Sequence, residues 1–324
     1  MLIEQIMPNF YKVKIPLPEN PLKAINSYVI KARTRNLIID TGMNREECIL
    51  AMHSGLQELD VDLRETDFFV THLHADHSGL VAELATETSC IYCSQQDADI
   101  INSGTDWDAM VNFARLSGFP ENKLREAIDR HPGYRYNAKG HLDFDIVAEG
   151  DVISIGDYLF KCVETPGHTR GHMCLYEEKH KILVAGDHVL ADITPNISLW
   201  SDDRNPLDEY VCSLDKVYEL DIRLVLPGHR SLIKDCRKRI QELKHHHQTR
   251  INEIISLLEK GSRNAYKLAS EMTWDLTYDS WEEFPVSQKL FATGEAIAHL
   301  KYLEEKGVIR REIKGEKIVF SLAS

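Results

Sequence analysis

Metal-binding side-chain types are concentrated in residues 71–79, which read Thr-His-Leu-His-Ala-Asp-His-Ser-Gly. Three imidazoles, from His72, His74 and His77, and the carboxylate of Asp76 fall within six residues. Neutral imidazole and carboxylate groups are ligands that suit divalent first-row metal ions. A polar loop that merely contains several histidines is the plainer interpretation. Further donors downstream favour the metal site.

The flanking segments predict where this group lies. The apolar run 67–71 before it predicts a short buried strand. Ser78 then offers an N-cap for a following amphipathic helix. The group is therefore predicted on a loop between a strand end and a helix start. Side chains two residues apart in an extended segment point the same way, so the first two histidines can face one point and the later donors a second point nearby.

Three more donors follow predicted strands farther along the chain. The segment Glu-Thr-Pro-Gly-His-Thr places His168 on a Pro-Gly turn after a strand. The apolar run 182–186 ends in glycine and is followed by Asp187, and the run 224–226 is followed by Pro-Gly and His229. A neighbouring glycine lets the backbone and a ligand approach closely. Each donor is thus predicted at the end of a strand.

This set of motifs resembles the metallo-β-lactamase superfamily, whose pattern is His-x-His-x-Asp-His followed by a His, an Asp and a His. The resemblance implies a metal-dependent hydrolase with two divalent ions and seven ligands in two sets. The first set is His72, His74 and His168; the second is Asp76, His77 and His229; and Asp187 bridges the two ions. The carboxylates of Asp76 and Asp187 are the predicted catalytic groups.

Two aspartates and one leucine refine the resemblance. Asp187 stands where β-lactamases of the most familiar type carry a cysteine, so the bridge resembles that of glyoxalase II and the lactonases. Asp40 follows a strand and matches an aspartate near the metal pair, where a carboxylate can orient ligating histidines; capping of its own turn is the alternative. Lactonases typically have a tyrosine near the position of Leu190, and glyoxalase II has a Cys-Gly-rich segment in this region. This chain has neither.

Composition excludes some classes of protein. A length of 324 residues allows one large core and a smaller domain. The formal net charge of -13 disfavours indiscriminate binding to nucleic acid or to an anionic membrane. The first residues lack the regions of a signal peptide, and no apolar run is long enough to span a membrane. Seven cysteines without a disulfide spacing predict reduced thiols and a cytoplasmic location.

The predicted fold class is α/β (α+β). The resemblance implies a four-layer αββα sandwich over residues 1–240, with a helical insertion at about 95–141. We predict that this insertion is a cap over the metals and that its Trp107 and Phe113 bind substrate. Peripheral packing helices or a dimer contact are the alternative.

Residues 241–324 predict a second, winged-helix-like domain. Helices are followed by a hairpin that turns at Lys314–Gly315. A metallo-β-lactamase domain with this addition resembles the lactamase-beta-2-like hydrolases. The run His245–His247 is expected to form a solvated basic face, because adjacent side chains point in different directions around a helix.

The favoured function is hydrolysis of a small-molecule acyl ester or thioester by a hydroxide that bridges two divalent ions. Zinc is the favoured metal, and iron or manganese would accept the same ligands. The alternatives are a lactonase and a single-strand endoribonuclease or phosphodiesterase of the lactamase-beta-2-like type. The acidic net charge and the absence of the large domain of the RNA-processing branch disfavour nucleic acid. A third alternative is DNA binding by the winged helix, which a basic stripe on its recognition helix would favour.

Overall fold

The computed structural model describes residues 2–274 and 278–323. The chain divides into two compact units. The first comprises Met1–Thr105, Arg135–Pro195 and Ser213–Ile240, and the second comprises Asp106–Tyr134, Asn196–Cys212 and Gln241–Ser324. The predicted insertion at 95–141 is therefore divided between the units, because residues 106–134 belong to the second.

The first unit contains, in its described residues, a seven-stranded mixed sheet whose strands lie in chain order. They are β1 (Ile3–Met7), β2 (Phe10–Pro16), β3 (Ala24–Ile30), β4 (Asn36–Ile39), β5 (Thr66–Phe69), β6 (Ile91–Cys93) and β7 (Asp145–Ile146). The pairs from β1 to β4 are antiparallel, and those from β4 to β7 are parallel. β3, β4 and β5 are buried throughout, as expected for a sheet covered on both faces.

A second sheet, five-stranded in the described residues, has the order β12-β11-β10-β9-β8. Its strands are β8 (Val152–Ile155), β9 (Tyr158–Glu164), β10 (Met173–Glu177), β11 (Ile182–Gly186) and β12 (Leu224–Pro227). β11 and β12 are parallel, and the other pairs are antiparallel. Phe10 and Tyr28 of the first sheet share one apolar core with Phe160 and Leu175 of the second. The two sheets therefore pack face to face.

Helices of the first unit cover the outer faces of this sandwich. The α-helices are numbered in chain order through both units. The first nine are α1 (Glu46–Glu58), α2 (Ala75–Ser78), α3 (Val81–Leu84), α4 (Gln95–Ser103), α5 (Trp107–Leu116), α6 (Glu121–Asp129), α7 (Pro132–Arg135), α8 (Pro206–Tyr218) and α9 (Cys236–Glu259). Met52 of α1 packs with Val13 and Ile38 of the first sheet. Lys216 of α8 donates to the carbonyl of Glu164 in β9. This layering confirms the predicted αββα fold.

The second unit combines helices with a small hairpin. Its remaining elements are α10 (Ala265–Glu271), α11 (Val286–Glu305), β13 (Ile309–Lys314) and β14 (Lys317–Leu322). Lys314 pairs with Lys317, and Gly315 between them has φ +62°, which confirms the predicted hairpin turn. None of the helices described has the length and apolar character needed to cross a bilayer.

The solvated face predicted for His245–His247 is wrong for one of its members. His245 is exposed, but only 1% of His247 is exposed. The Nδ1 atom of His247 lies 3.1 Å from Nε2 of His299, and the other ring nitrogen of His299 donates to the carbonyl of Glu295 at 2.8 Å. α9 and α11 therefore enclose a polar cluster inside the second unit.

The same cluster contains a buried carboxyl group whose titration should affect stability. Burial raises the pKa of Glu295 from 4.5 to about 7, against the lowering effects of Arg250 and of the Asn196 amide. Because the pKa is higher in the folded chain than in the unfolded chain, the fold binds the proton more tightly. The protonated carboxyl group therefore contributes to the free energy of unfolding at low pH, and this contribution is lost as the pH rises through the folded-state pKa.

We expect Glu295→Gln to remove this pH dependence. Relative to the variant, the wild type should lose unfolding free energy between about pH 5 and about pH 8, by on the order of 3 kcal/mol. Urea unfolding across this range measures the difference, and Glu316→Gln on the exposed hairpin is the control. Parallel curves for the wild type and Glu295→Gln would contradict the expectation.

Candidate metal centre

The His-x-His-x-Asp-His motif lies where β5 ends, but the helix after it begins earlier than predicted. His74 occupies the N-cap position of α2, so Asp76 and His77 lie in its first turn. Ser78 is not an N-cap, because its hydroxyl donates to the carbonyls of Leu73 and His74 at 3.0 and 3.1 Å. These bonds hold the extended part of the motif against the helix.

The other three donors also follow strands of the first unit. His168 lies in the turn after β9, Asp187 directly follows β11, and His229 comes two residues after β12. β11 and β12 are parallel neighbours, and Gly186 pairs with Pro227. Asp187 and His229 therefore leave the sheet side by side.

The backbone beside these donors leaves no room for further side chains. A Cβ atom on Gly228 would lie 2.6 Å from Asp187 Oδ1 and 2.7 Å from His77 Cε1. Gly186 has φ +46°, and a Cβ atom there would lie 2.7 Å from Thr71 Oγ1. Glycine is therefore required at both positions for the donors to converge.

All seven predicted ligands come together within the first unit. In the described residues they form three overlapping sets whose ligand atoms lie within 4.8 Å of one another. The sets are His72 with His74 and His168; His72 with His77 and Asp187; and Asp76 with His77 and His229. The structure thus contains the two sets that the resemblance implies and a third set that contains Asp187.

The carboxylate of Asp187 faces imidazoles of both metal sets. Its Oδ1 atom lies 3.5 Å from Nε2 of His77. Its Oδ2 atom lies 3.5 Å from Nε2 of His229 and 3.7 Å from Nε2 of His168. Asp187 therefore has the position that a bridging carboxylate needs.

The spacing and orientation of the donors fit metal ions. Two donors about 2.1 Å from one ion at a tetrahedral angle are about 3.4 Å apart. The distances of 3.5 and 3.7 Å between Asp187 and the imidazoles are close to this value. His77 Nδ1 lies 2.7 Å from Asp40 Oδ2, and His229 Nδ1 donates to the carbonyl of Ala24 at 2.8 Å. The Nε2 atoms of both rings therefore face inward, towards the carboxylates of Asp187 and Asp76. Such buried imidazole and carboxylate donors fit a binuclear site for divalent ions.

Burial sets the charge of most of these groups. Burial and the neighbouring imidazoles lower the pKa of His72 well below its usual value, and burial lowers the pKa of His74 to about 3. Burial alone would raise the pKa of Asp76, but a hydrogen bond with His229 and nearby positive charge lower it to about 2. Asp76 is therefore ionised at neutral pH and available to a cation.

Asp40 contacts the ligand loop directly. Its carboxylate accepts hydrogen bonds from the N–H and the hydroxyl of Thr71 at 2.9 and 2.8 Å. The contact with His77 Nδ1 fixes which nitrogen of that ring faces inward. Of the two roles that the sequence left open for Asp40, these contacts correspond to the orientation of a ligating histidine.

His172 makes a contact that the sequence did not predict. Its Nδ1 atom lies 2.8 Å from the hydroxyl of Thr165, and its Nε2 atom accepts the backbone N–H of Asp187 at 3.1 Å. Among the described residues it belongs to none of the candidate ligand sets. His172 therefore fixes the backbone of Asp187, and only tertiary structure reveals this contact.

The two predicted substrate-binding aromatics lie on α5 of the second unit. The Trp107 ring contacts the rings of His131 and Tyr134 at centroid distances of 5.0 and 5.6 Å. Phe113 is half-buried. Neither is a metal-ligand candidate, and their substrate-binding role remains a prediction.

Comparison with known proteins agrees with this geometry. Residues 21–229 match the family model described as the metallo-beta-lactamase superfamily, which is more than half of the chain. The chain belongs to the metallo-β-lactamase superfamily. Residues 282–321 match a second model, described as the metallo-beta-lactamase-like, C-terminal domain.

The proteins of similar sequence include a probable metallo-hydrolase and a thioesterase. The chain is 27% identical over 318 residues to the probable metallo-hydrolase YqjP of Bacillus subtilis. The aligned region covers 90% of this chain and 92% of that protein. It is 25% identical over 243 residues to the atrochrysone carboxyl ACP thioesterase of Aspergillus fumigatus, covering 75% of this chain and 62% of the thioesterase. With its His and Asp sets, the chain is a metal-dependent hydrolase.

A solved structure agrees with the fold and the superfamily over nearly the whole chain. The crystal structure of a metallo-beta-lactamase family protein from Thermus thermophilus superposes with a TM-score of 0.82 and 26% identity. The match covers 98% of this chain and 99% of the other. The predicted fold and superfamily are thereby confirmed.

The charge on His77 leads to a prediction about metal binding. Burial would lower the pKa of His77, but Asp40 and Asp187 raise it well above its usual value. An ion that binds Nε2 must therefore displace a proton at neutral pH. We expect about two metal equivalents per chain, proton release on binding, and an affinity that rises with pH.

Elemental analysis and calorimetric titration in buffers of different ionisation enthalpy measure these quantities. The variant Asp40→Asn removes one of the two charges that stabilise the His77 proton, so it should release fewer protons. A single equivalent bound without proton release would contradict the prediction.

Proposed function

We propose that this metal-dependent hydrolase cleaves acyl esters or thioesters and that zinc is its metal. The Asp187 carboxylate, which faces both ligand sets, is the observation that carries the proposal. When bound, two divalent ions supply Lewis-acid polarisation of the scissile carbonyl and a water that ionises near neutral pH. Water adds to the carbonyl carbon, the bond to the oxygen or sulfur leaving group breaks, and the alcohol or thiol departs with a proton.

The side chains of the site have separate roles in the reaction. The neutral rings of His72 and His74 offer nitrogen lone pairs, while Asp187 contributes negative charge between the two sets. The ionised Asp76 lies 3.3 Å from Nε2 of His229 and provides an acceptor for the proton of the attacking water. Asp40 holds the His77 ring in one orientation, so the geometry is prepared before substrate arrives.

Charge supports an acyl substrate over a nucleic acid. The formal net charge is -13. Between its ends at Val286 and Glu305, α11 carries only Lys289 and Lys301 as fixed positive charges. Lys301 is paired with Asp202 at 3.2 Å. A helix without a basic stripe gives a polyphosphate little to bind, whereas an acyl group requires no such surface. The similarity to a fungal ACP thioesterase supports the same substrate class.

A substrate panel tests the proposal. The zinc-loaded chain is assayed against esters and thioesters of several acyl lengths, lactones, β-lactams, bis-aryl phosphodiesters and short RNA. We expect kcat/KM to be highest for an ester or a thioester. A preference for RNA or for the phosphodiesters would replace the proposal with the endoribonuclease alternative, and a preference for lactones would replace it with a lactonase.

We expect Asp187→Ala to abolish most hydrolysis while the first metal set still binds an ion. His72, His74 and His168 suffice for one three-ligand site, but the variant loses the carboxylate shared by both sets. The loss of kcat/KM should exceed about 100-fold, because residues that only support metal ligands already cost about 10–100-fold. Asp192→Ala, which changes an exposed aspartate of the same loop, is the control. Wild-type turnover of Asp187→Ala would refute the mechanism.

The predicted role of the 95–141 segment is tested at Phe113. If this side chain binds the non-reacting part of the substrate, Phe113→Ala should lower kcat/KM for long acyl chains more than for short ones, because remote binding energy is used at the reacting centre. Trp107→Ala should act in the same direction but also loses packing in the core of the second unit. Tyr278→Ala is the control on an exposed aromatic. Equal losses for all chain lengths, with unchanged metal content, would mean that the segment only supports the fold.

A further inference from the structure

A buried carboxylate outside the ligand motifs connects two of the ligand loops. Asp97 lies on α4 and is fully buried. Its Oδ2 atom accepts the N–H of Leu73 at 2.9 Å and the hydroxyl of Thr169 at 2.8 Å. Its Oδ1 atom accepts the N–H of Gly171 at 2.9 Å. One side chain therefore holds two loops that are far apart in sequence.

These donors adjoin one metal set in particular. Leu73 lies between His72 and His74, and Thr169 directly follows His168. Those three histidines form one candidate ligand set. Asp97 thus accepts hydrogen bonds from both loops that carry the first set, and it belongs to none of the candidate ligand sets of the described residues.

The local sequence would allow Asp97 a simpler role. Ser94 is the N-cap of α4 and Asp97 is the third residue after it, which is the spacing of a capping box. In a capping box the acidic side chain returns to the N–H of the cap residue. Here the carboxylate accepts hydrogen bonds from Leu73, Thr169 and Gly171, which lie 24, 72 and 74 positions from it in the sequence. Helix capping does not account for these contacts.

The close approach of the loop to α4 requires a glycine. A Cβ atom on Gly171 would lie 2.1 Å from Ser94 Oγ and 2.7 Å from Asp97 Oδ1. Any larger residue would push the His168 loop away from α4. The absence of a side chain at position 171 and the carboxylate at position 97 therefore act together.

Asp40 offers a comparison at the second set. Its carboxylate holds Thr71 and contacts the ring of His77, which belongs to the set with Asp76 and His229. Asp97 holds the backbone of the first set in a similar way. Each set therefore has a buried carboxylate beside it, on a segment of the chain that supplies no candidate ligand.

We propose that Asp97 is the positioning residue of the first metal site: it fixes the distance between the His72–His74 loop and the His168 loop. This inference deepens the proposed function and rests on its binuclear site. The loops are expected to separate when the carboxylate is lost, because the N–H groups of Leu73 and Gly171 would be left buried without their acceptor. The first site should then bind its ion more weakly while the second is unaffected.

The test measures metal affinity in full-length protein, one site at a time. Asp76→Ala removes a ligand of the second set and leaves the first set to be titrated with zinc against a chelating indicator. His74→Ala isolates the second set in the same way. Asp97→Asn is added to each background; its amide keeps the shape of the side chain but must direct an N–H towards one of the donors.

We expect Asp97→Asn to weaken zinc binding about 10–100-fold in the Asp76→Ala background and by less than about threefold in the His74→Ala background. Co(II) absorption in the first background should lose intensity in the ligand-field bands, because the three histidines no longer enforce a four-coordinate geometry. Equal weakening in both backgrounds would show a purely structural role, and no weakening in either would refute the inference.

Matched variants separate positioning from general loss of stability. Asp67→Asn changes another buried carboxylate that accepts a backbone N–H, from Cys90 at 2.9 Å, but lies away from the ligand loops. It should lower the unfolding temperature without changing zinc affinity. Thr169→Val removes one donor to Asp97 and should weaken the first site, whereas Thr169→Ser keeps the hydroxyl and should not. These readouts involve no substrate, so failure of the ester and thioester assay would leave this result intact.

Discussion

Buried negative charge is the constraint on which the structure of this site depends. Asp76 and Asp187 are 8% and 6% exposed, and both are held ionised. A buried carboxylate is costly unless opposite charge compensates it. That charge comes from His77, whose pKa Asp40 and Asp187 raise, and from His229, whose pKa Asp187 and Asp76 raise, in both cases against the effect of burial. Metal ions supply the same compensation when they bind, so metal binding and the stability of the site are coupled.

The sheet sandwich places the buried carboxylates beside imidazoles because it brings strand ends together. β11 and β12 run parallel as neighbours, so Asp187 and His229 lie beside each other although they are distant in sequence. The glycines at positions 186 and 228 let the backbone pass within contact distance of the donors. Hydrogen bonds from behind then orient the rings: Asp40 contacts His77, and the carbonyl of Ala24 accepts from His229. The architecture therefore determines both the position of each donor and the nitrogen that faces the ion.

The candidate ligands could be located from sequence because each motif follows an apolar run, and Gly or Pro-Gly directly precedes His168, Asp187 and His229. The start of α2 could not be predicted from sequence. Serine is a common N-cap residue, but the hydroxyl of Ser78 donates to the carbonyl of Leu73. Asp97 and His172 gave no local signal, since the contacts that define them link residues 15 to 74 positions apart. In a run of three histidines, sequence alone also did not reveal that His247 points into the second unit.

The same supporting contacts bear on the choice of metal, which the ligand types leave open. Imidazole and carboxylate ligands accept zinc, iron and manganese, so ligand type alone does not select among them, whereas the number and spacing of the donors can. That spacing is not fixed by the ligands, which lie on separate loops. Asp40 orients the His77 ring in the second set, and Asp97 is proposed to set the distance between the loops of the first. A side chain that binds no metal can therefore influence which ion the site prefers, because small displacements of the His168 loop change the geometry offered to the ion.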